Sequence, residues 1–217
     1  MQPTGTSGKR EIDLETWDRR ALFHFFKTFT EPLHGICVRV DCTETFNYAK
    51  EHRMSVSASL MHRCLAAANL IENFRTRIID GSVWCFDSIF GGSAVGRPNG
   101  TIGFGYYVFR HDIQDFAREA ALEVERVRGR DDIERYAGVD FIRFSTIPWL
   151  DFTSISHARD LSKEDSVPRI TLGKITESNG RRTLPISIHV HHALADGLHV
   201  AQFVDQLQQL LANPEHS

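Results

Sequence analysis

The chain of 217 residues is 41% hydrophobic, which suits one generously sized domain with a buried core. Its 25 Lys and Arg stand against 28 Asp and Glu, and a net charge of −3 offers no basic field to a nucleic-acid backbone, so no nucleic-acid partner is expected. No run reaches the roughly 18 consecutive apolar residues of a membrane-spanning helix, which points to a soluble protein with no membrane partner.

Residues 1–10 are polar, lack the apolar core of a signal peptide and read as a disordered tail, leaving 11–217 as a single domain without repeats or linker. Cys37, Cys42, Cys64 and Cys85 form no Cys-x-x-Cys pair, and a reduced, cytoplasmic setting is expected. Trp17, Leu22, Phe25, Phe26 and Phe29 predict an aromatic-rich helix over 15–29, and alternation of Ile36, Val38 and Val40 predicts a strand over 35–40. Leu60, Cys64, Ala67, Ala68 and Ile71 mark a buried stripe on a helix over 57–74. Residues 78–90 turn strand-like, 91–100 carry four glycines and a proline and read as a loop, and 102–109 suit another strand.

A further helix is expected over 112–128, with Ile113, Phe116, Ala120, Val124 and Val127 on its apolar face. Arg126, Arg128 and Arg130, lying among Glu123, Glu125, Asp131 and Asp132, read as its solvated side. Strand signals follow over 141–145, 169–174 and 184–192, with Asn179-Gly180 as a hairpin turn before the last. A terminal helix over 198–211 gathers Phe203, Val204, Leu207, Leu210 and Leu211 on one side. Without a strict βαβ repeat, the fold class is α/β of the α+β type, a mixed sheet covered by helices.

The informative stretch runs from Ile186 to Gly197. Period-two alternation puts Ile186, Ile188, Val190 and His192 on one face of a strand and Ser187, His189 and His191 on the other. His192 thus ends an apolar row, where burial favours a neutral imidazole able to accept a proton. Asp196, ahead of Gly197 and a helical run, can cap that helix or hold a cation. One alternative makes His192 a packing residue. Another is a zinc site built from His189, His191 and His199, although no Cys or Glu lies near them in sequence to complete a ligand set. A serine-type triad lacks its Gly-x-Ser-x-Gly elbow.

His191-His192-Ala193-Leu194-Ala195-Asp196-Gly197, followed by His199, resembles the His-His-x-x-x-Asp-Gly signature of chloramphenicol acetyltransferases. Trp17-Asp18-Arg19-Arg20 with Phe23 and Phe25 resembles the family's Trp-x-Arg-Arg segment, and Ser145-Thr146-Ile147-Pro148-Trp149 its Ser-x-x-Pro-Trp segment. Ile170-Thr171-Leu172-Gly173-Lys174 fits a further family segment, and the likeness extends over nearly the whole chain. Condensation domains of peptide synthetases and the core of dihydrolipoamide acyltransferases carry related motifs but differ in length or modules.

The resemblance implies the acyltransferase fold, acetyl-CoA as cosubstrate, a small alcohol as acceptor, no catalytic metal and a homotrimer with active sites between subunits. It also implies His192 as general base, Asp196 paired with Arg19 as organiser, Ser145 as oxyanion donor and Thr171 as holder of a water. Trp149 is read as a core aromatic, although the resemblance sets its segment beside the coenzyme channel. The acceptor pocket departs from the family. Phe25 and Phe26 lack a phenol hydroxyl, the aromatic and small residues around Ile102, Gly103 and Phe104 are exchanged, and His157 stands where an apolar side chain is usual.

Overall fold

Alternating apolar residues on three adjacent strands decide which face of the central sheet is buried. The computed structural model describes residues 7–215. In chain order it runs β1 (Lys9–Glu11), α1 (Arg20–Phe26), β2 (Leu33–Asp41), α2 (Thr43–Glu51), α3 (Val56–Leu70), α4 (Glu72–Arg75), β3 (Thr76–Ile79) and β4 (Ser82–Phe86). There follow β5 (Phe90–Gly96), β6 (Ile102–Tyr107), α5 (Ile113–Arg128), β7 (Phe141–Thr146), β8 (Arg169–Leu172), β9 (Thr176–Ser178), β10 (Arg181–His191) and α6 (Gly197–Ala212).

The main sheet is ordered β2-β10-β8-β7-β5-β6, with β9 paired to the start of β10. β7 lies parallel to β5 and β8 while the other pairs are antiparallel, so the sheet is mixed, as the interspersed elements imply. A small antiparallel sheet, β1-β4-β3, stands apart from it. No helix among the described residues is long and apolar enough to cross a membrane.

Ile186, Ile188 and Val190 of β10, Ile170 and Leu172 of β8, and Ile142 and Phe144 of β7 join one core with Leu60 and Leu65 of α3 and Phe203, Leu207 and Leu211 of α6. The Phe74 and Phe203 rings stack at 4.6 Å inside it. Pairing aligns the intervening residues into two polar rows on the opposite face. Ser187 lies beside Thr171 and Thr171 beside Ser145, while His189 lies beside Arg169 and Arg169 beside Arg143.

Several expectations need correction. Of the expected tail, residues 1–6 lie outside the described residues, but Lys9–Glu11 forms β1, in register with Trp84 to Phe86 of β4. The helix over 15–29 contracts to α1, because the Asp13 carboxylate accepts from the Glu15 amide and closes a separate turn ahead of it. The helix over 57–74 breaks at Ile71, which is extended at φ −109° and ψ 112°. Residues 78–90 are two strands turned at Asp80 and Gly81, both at positive φ, followed by the start of a third.

The supposed loop over 91–100 is largely β5, an interior strand. Its glycines reflect close packing: a Cβ at Gly91 would meet Leu65 at 3.2 Å, and one at Gly92 would meet Phe141 at 3.0 Å. Helix α2 was not foreseen, since Thr45 and Ala49 alone are buried on it and leave no apolar stripe to read. The hairpin turn at Asn179-Gly180 is present, with both residues at positive φ as such a turn demands.

Arg77 on β3 ties the two sheets together. It is fully buried and donates to the carbonyls of Val139, Phe74, Thr76 and Phe141 at 2.7 to 2.8 Å. Burial pushes its pKa down to about 9, against the pull of Asp140 and Asp165, so it stays charged at neutral pH. The Phe141 carbonyl opens β7, the strand that carries Arg143 and Ser145. Replacement of Arg77 with Met strands these buried acceptors, and a loss of at least about 3 kcal/mol is expected in denaturant unfolding. A midpoint within error of wild type would show that the carbonyls are satisfied without Arg77.

Candidate active site

β10 ends at His191, one residue before the point that alternation required for His192. The turn that follows is closed by hydrogen bonds from the Leu194 and Ala195 amides to the His191 carbonyl at 2.9 and 3.0 Å. His192 is therefore carried by the turn, not by the apolar row of β10, and its amide donates to Pro32 at 2.8 Å. Its ring lies flat on Phe26 of α1, centroids 3.9 Å apart and planes within 4°, with His34 on β2 at 4.3 Å. His192 Nδ1 is buried with no hydrogen-bond partner, which leaves Nε2 as the nitrogen available to a substrate. Burial, and then the neighbouring His192, push the pKa of His34 down.

The turn is fixed from the far end of the sequence. Arg19 Nη1 lies 2.7 Å from Asp196 Oδ2, bridging 177 residues, and Arg19 Nη2 donates to the His192 carbonyl at 3.2 Å. Asp196 also caps α6 through the Leu198 amide at 3.1 Å, so the cap and the ion pair coexist. His199 Nδ1 sits 2.7 Å from Asp196 Oδ1 and 3.2 Å from the Asp196 amide. One nitrogen cannot serve both, and the shorter contact to a carboxylate means that Nδ1 carries the proton and donates. Partial burial opposes the charged form of Asp196, but hydrogen bonds from Arg19 and His199 outweigh it and hold the carboxyl well below the usual carboxylate range.

The other expected residues gather elsewhere. Ser145 on β7 and Thr171 on β8 are register partners on the polar face, and Thr171 Oγ1 lies 3.2 Å from His157 Nε2. The Ser145 hydroxyl has no partner within the described protein and lines a cleft of about 440 Å³ with His157, Arg143 and Arg169. Phe104 on β6 lines an adjoining aromatic hollow of about 220 Å³, and Ile102 is half exposed at the sheet edge. Phe25 is exposed on α1, and Trp149 is 78% exposed, which overturns its reading as a core aromatic.

These two groups cannot meet within one chain. Ser145 is in register with Ser187, five residues before His192, and two strands away from β10. At about 3.3 Å per residue and 4.8 Å per strand, roughly 16 Å along and 10 Å across separate their backbones. β6 is two strands further still.

The histidines of the zinc alternative face different partners. His189 Nδ1 lies 3.3 Å from Ser187 Oγ, His191 Nδ1 accepts from the Ala193 amide, and His199 serves Asp196. Among the described residues no group of three or more His, Cys, Asp and Glu could hold a metal. His189 and His191 are each pushed down to about 4, chiefly by burial. Sequence reasoning missed His34, Arg143, Arg169 and Asp165, whose placement depends on strand register and on the segment covering the polar face. Arg143 and Arg169 both bind Asp165 there, each with a contact of 2.6 Å.

The family profile for chloramphenicol acetyltransferase matches residues 9–208. The chloramphenicol acetyltransferase of Streptomyces acrimycini is 30% identical over 212 residues, covering 94% of each chain, and that of Clostridioides difficile is 26% identical over 93% of this chain and 95% of its own. A solved chloramphenicol acetyltransferase superposes with a TM-score of 0.86 at 30% identity, over 94% of this chain and 100% of its own. The dihydrolipoamide acetyltransferase of Azotobacter vinelandii shares the fold, with a TM-score of 0.65 at 19% identity over 90% of this chain and 87% of its own. Sequence, fold and the Arg19–Asp196 clasp on the His192 turn agree: the chain belongs to the chloramphenicol acetyltransferase family of enzymes.

Proposed function

We propose that the protein is a CoA-dependent O-acetyltransferase that moves acetyl from acetyl-CoA to a hydroxyl of chloramphenicol or a similar small alcohol. The observation that carries this reading is the His192 imidazole, stacked on Phe26 in a turn clamped by Arg19 and Asp196, with Nε2 left for a substrate. Nε2 takes the hydroxyl proton as the oxygen attacks the thioester carbonyl. Ser145 donates to the oxygen that becomes negative, Thr171 holds a water near it, and expulsion of the CoA sulfur returns the proton, giving CoA and the acetyl ester. Transfer is direct, without an acyl-enzyme. Base catalysis by a positioned His contributes roughly 100- to 10,000-fold, and one oxyanion donor about 3 kcal/mol.

The site is proposed to form between copies of the chain in a homotrimer, His192 from one and Ser145 from the next. The separation of the two groups within a chain supports this. Exposed Trp149 and Leu150 beside β7, and exposed Phe25 on α1, supply apolar surface for a partner subunit and for the coenzyme. A cytoplasmic setting suits the four free cysteines.

His192→Ala is expected to lower kcat by roughly 100-fold or more in a thiol-release assay while acetyl-CoA binding is retained. Near-normal turnover would remove His192 as the base.

Cross-chain assembly has its own test. His192→Ala and Ser145→Ala chains, each poorly active alone, should regain activity when unfolded and refolded together, because a mixed oligomer contains interfaces with both residues intact. Absence of any gain in verified mixed oligomers would place the site within one chain.

Arg19→Ala and Asp196→Asn should each destabilise the protein, and their effects should couple by about 1 kcal/mol or more, between the values for exposed and buried pairs. Because the folded pKa of Asp196 is depressed, its contribution is full above the unfolded value near about 4 and drains as pH falls through the folded value. The stability gap between wild type and Asp196→Asn should therefore be constant near neutral pH and shrink in acid. Additive energies with a pH-independent gap would reduce Asp196 to a plain helix cap.

A further inference from the structure

The cleft that Ser145 lines contains five basic side chains and three carboxylates. Asp160 is engaged by Lys163 at 3.1 Å, Arg159 is paired with Glu31 outside the cleft, and exposed Arg135 and Glu164 offset each other in count. The remaining carboxylate is shared. Asp165 Oδ2 lies 2.6 Å from Arg143 Nη1 and 2.6 Å from Arg169 Nη2. Two guanidiniums on one carboxylate leave one positive charge uncompensated, and Arg169 is only 7% exposed, where solvent screens it weakly.

The neighbouring groups register this surplus. His157 and His189 have their pKa values lowered first by burial; Arg169 and Arg159 lower His157 further, and His157, Arg159 and Arg169 lower His189. Both histidines therefore favour the neutral form and add no further positive charge. Beside the cleft, sharing Arg135, Arg143 and Phe144 as walls, lies the hollow lined by Phe104, Tyr106, Tyr136 and Phe141. Arg143 stands at the junction, its guanidinium carbon 5.4 Å from the centre of the Phe141 ring. It is two residues before Ser145 on the same face of β7, roughly 7 Å away along the strand.

We propose that the acceptor is a hydroxy acid, whose carboxylate binds Arg143 and Arg169 and whose aromatic or other apolar body fills the adjoining hollow. This rests on the acetyl transfer proposed above and names its substrate class. A planar guanidinium matches a carboxylate through paired hydrogen bonds, and Arg143 reaches both oxygens of Asp165 through Nη1 alone, so its bond to Asp165 does not use the whole fork. The acetyl group passes from sulfur to the hydroxyl oxygen, and the carboxylate is unchanged.

The probes are 3-hydroxy-3-phenylpropanoate and its neutral primary amide, equal in shape and different in charge. In wild-type enzyme with acetyl-CoA, kcat/KM for the acid should exceed that for the amide by about tenfold or more, through KM, as loss of a charge-assisted contact implies. Arg143→Gln should remove most of that advantage and leave the amide within about threefold. If that variant does not fold, Arg143→Lys gives the readout: it keeps a charge but loses the planar fork, and it should lower the acid-to-amide ratio through the acid alone. Equal or better use of the amide in wild type, or equal loss for both probes in Arg143→Gln, would overturn the proposal. Calorimetric binding of both probes to His192→Ala separates it from the reaction itself. Preference for the acid in binding, with no turnover by wild type, would uphold the hydroxy-acid site and sink the acetyl transfer. Turnover without preference would do the reverse, and neither binding nor turnover of either probe would overturn the hydroxy-acid site.

Discussion

The strict two-residue period of β10, held in register with β8 and β7, is the constraint on which the rest depends. Ile186, Ile188 and Val190 must face α3 and α6, and this forces Ser187, His189 and His191 to the other side. A slip of one residue would bury three polar side chains beneath helices and expose the core of the sheet. The same pairing that builds the core therefore sets Ser187, Thr171 and Ser145 in one line, with Arg143, Arg169 and His189 in the next. The polar face arises as the obligatory complement of the hydrophobic one, and the side chains proposed for catalysis are displayed on it without sacrificing packing.

Termination of β10 matters as much as its register. If the strand continued through residue 192, that imidazole would be driven into the core beside Val190. The turn releases it onto Phe26, and Arg19 then ties the turn to the N-terminal segment through Asp196 and the His192 carbonyl. The charge of Asp196 is balanced by Arg19 and by the His199 N–H, so the nearest carboxylate is already committed. What remains at His192 is an imidazole whose orientation is set by packing and by backbone, with one nitrogen buried.

Most of the fold was legible where one strand or helix carries its own periodic signal. Ile113, Phe116, Ala120 and Val127 announce α5, Phe203, Leu207 and Leu211 announce α6, and Asn179-Gly180 announces its hairpin. What was missed has no such local signature. Gly91 and Gly92 look like a loop until Leu65 is seen pressing on one side of β5 and Phe141 on the other. Lys9–Glu11 is short and polar, and only the partner strand β4 makes it a strand. α2 has no apolar stripe because its buried members are a threonine and an alanine, the former bonded to the Leu211 carbonyl. At the site, Arg19 and Asp196 were found through motifs 177 residues apart. Arg143, Arg169 and Asp165 belong to no motif, and they converge through register and a covering segment.

The split of the site into two groups some distance apart has a consequence for specificity. The His192 group is held by α1, the turn after β10 and the start of α6, whereas the cleft proposed for the acceptor is walled by β7, β8 and the segment carrying His157 and Asp165. Within one chain the two groups are linked at one edge, where Arg159 of the cleft pairs with Glu31, the neighbour of Pro32 whose carbonyl accepts from the His192 amide, while effects at distant positions with no common partner are close to additive. Arg143, Arg169 and His157 bond to Asp165 and Thr171, not to that link, so substitutions can exchange apolar walls for them without disturbing the His192 turn. Such exchange is easier at the partly exposed Arg143 and Ser145 of β7 than at Arg169 and Thr171 of β8, which the covering segment buries and where a change of volume costs packing. A charged acceptor cleft and an intact His192 turn are thus compatible in one molecule. On the proposed reading, the reaction is set by one group and the identity of the alcohol by the other.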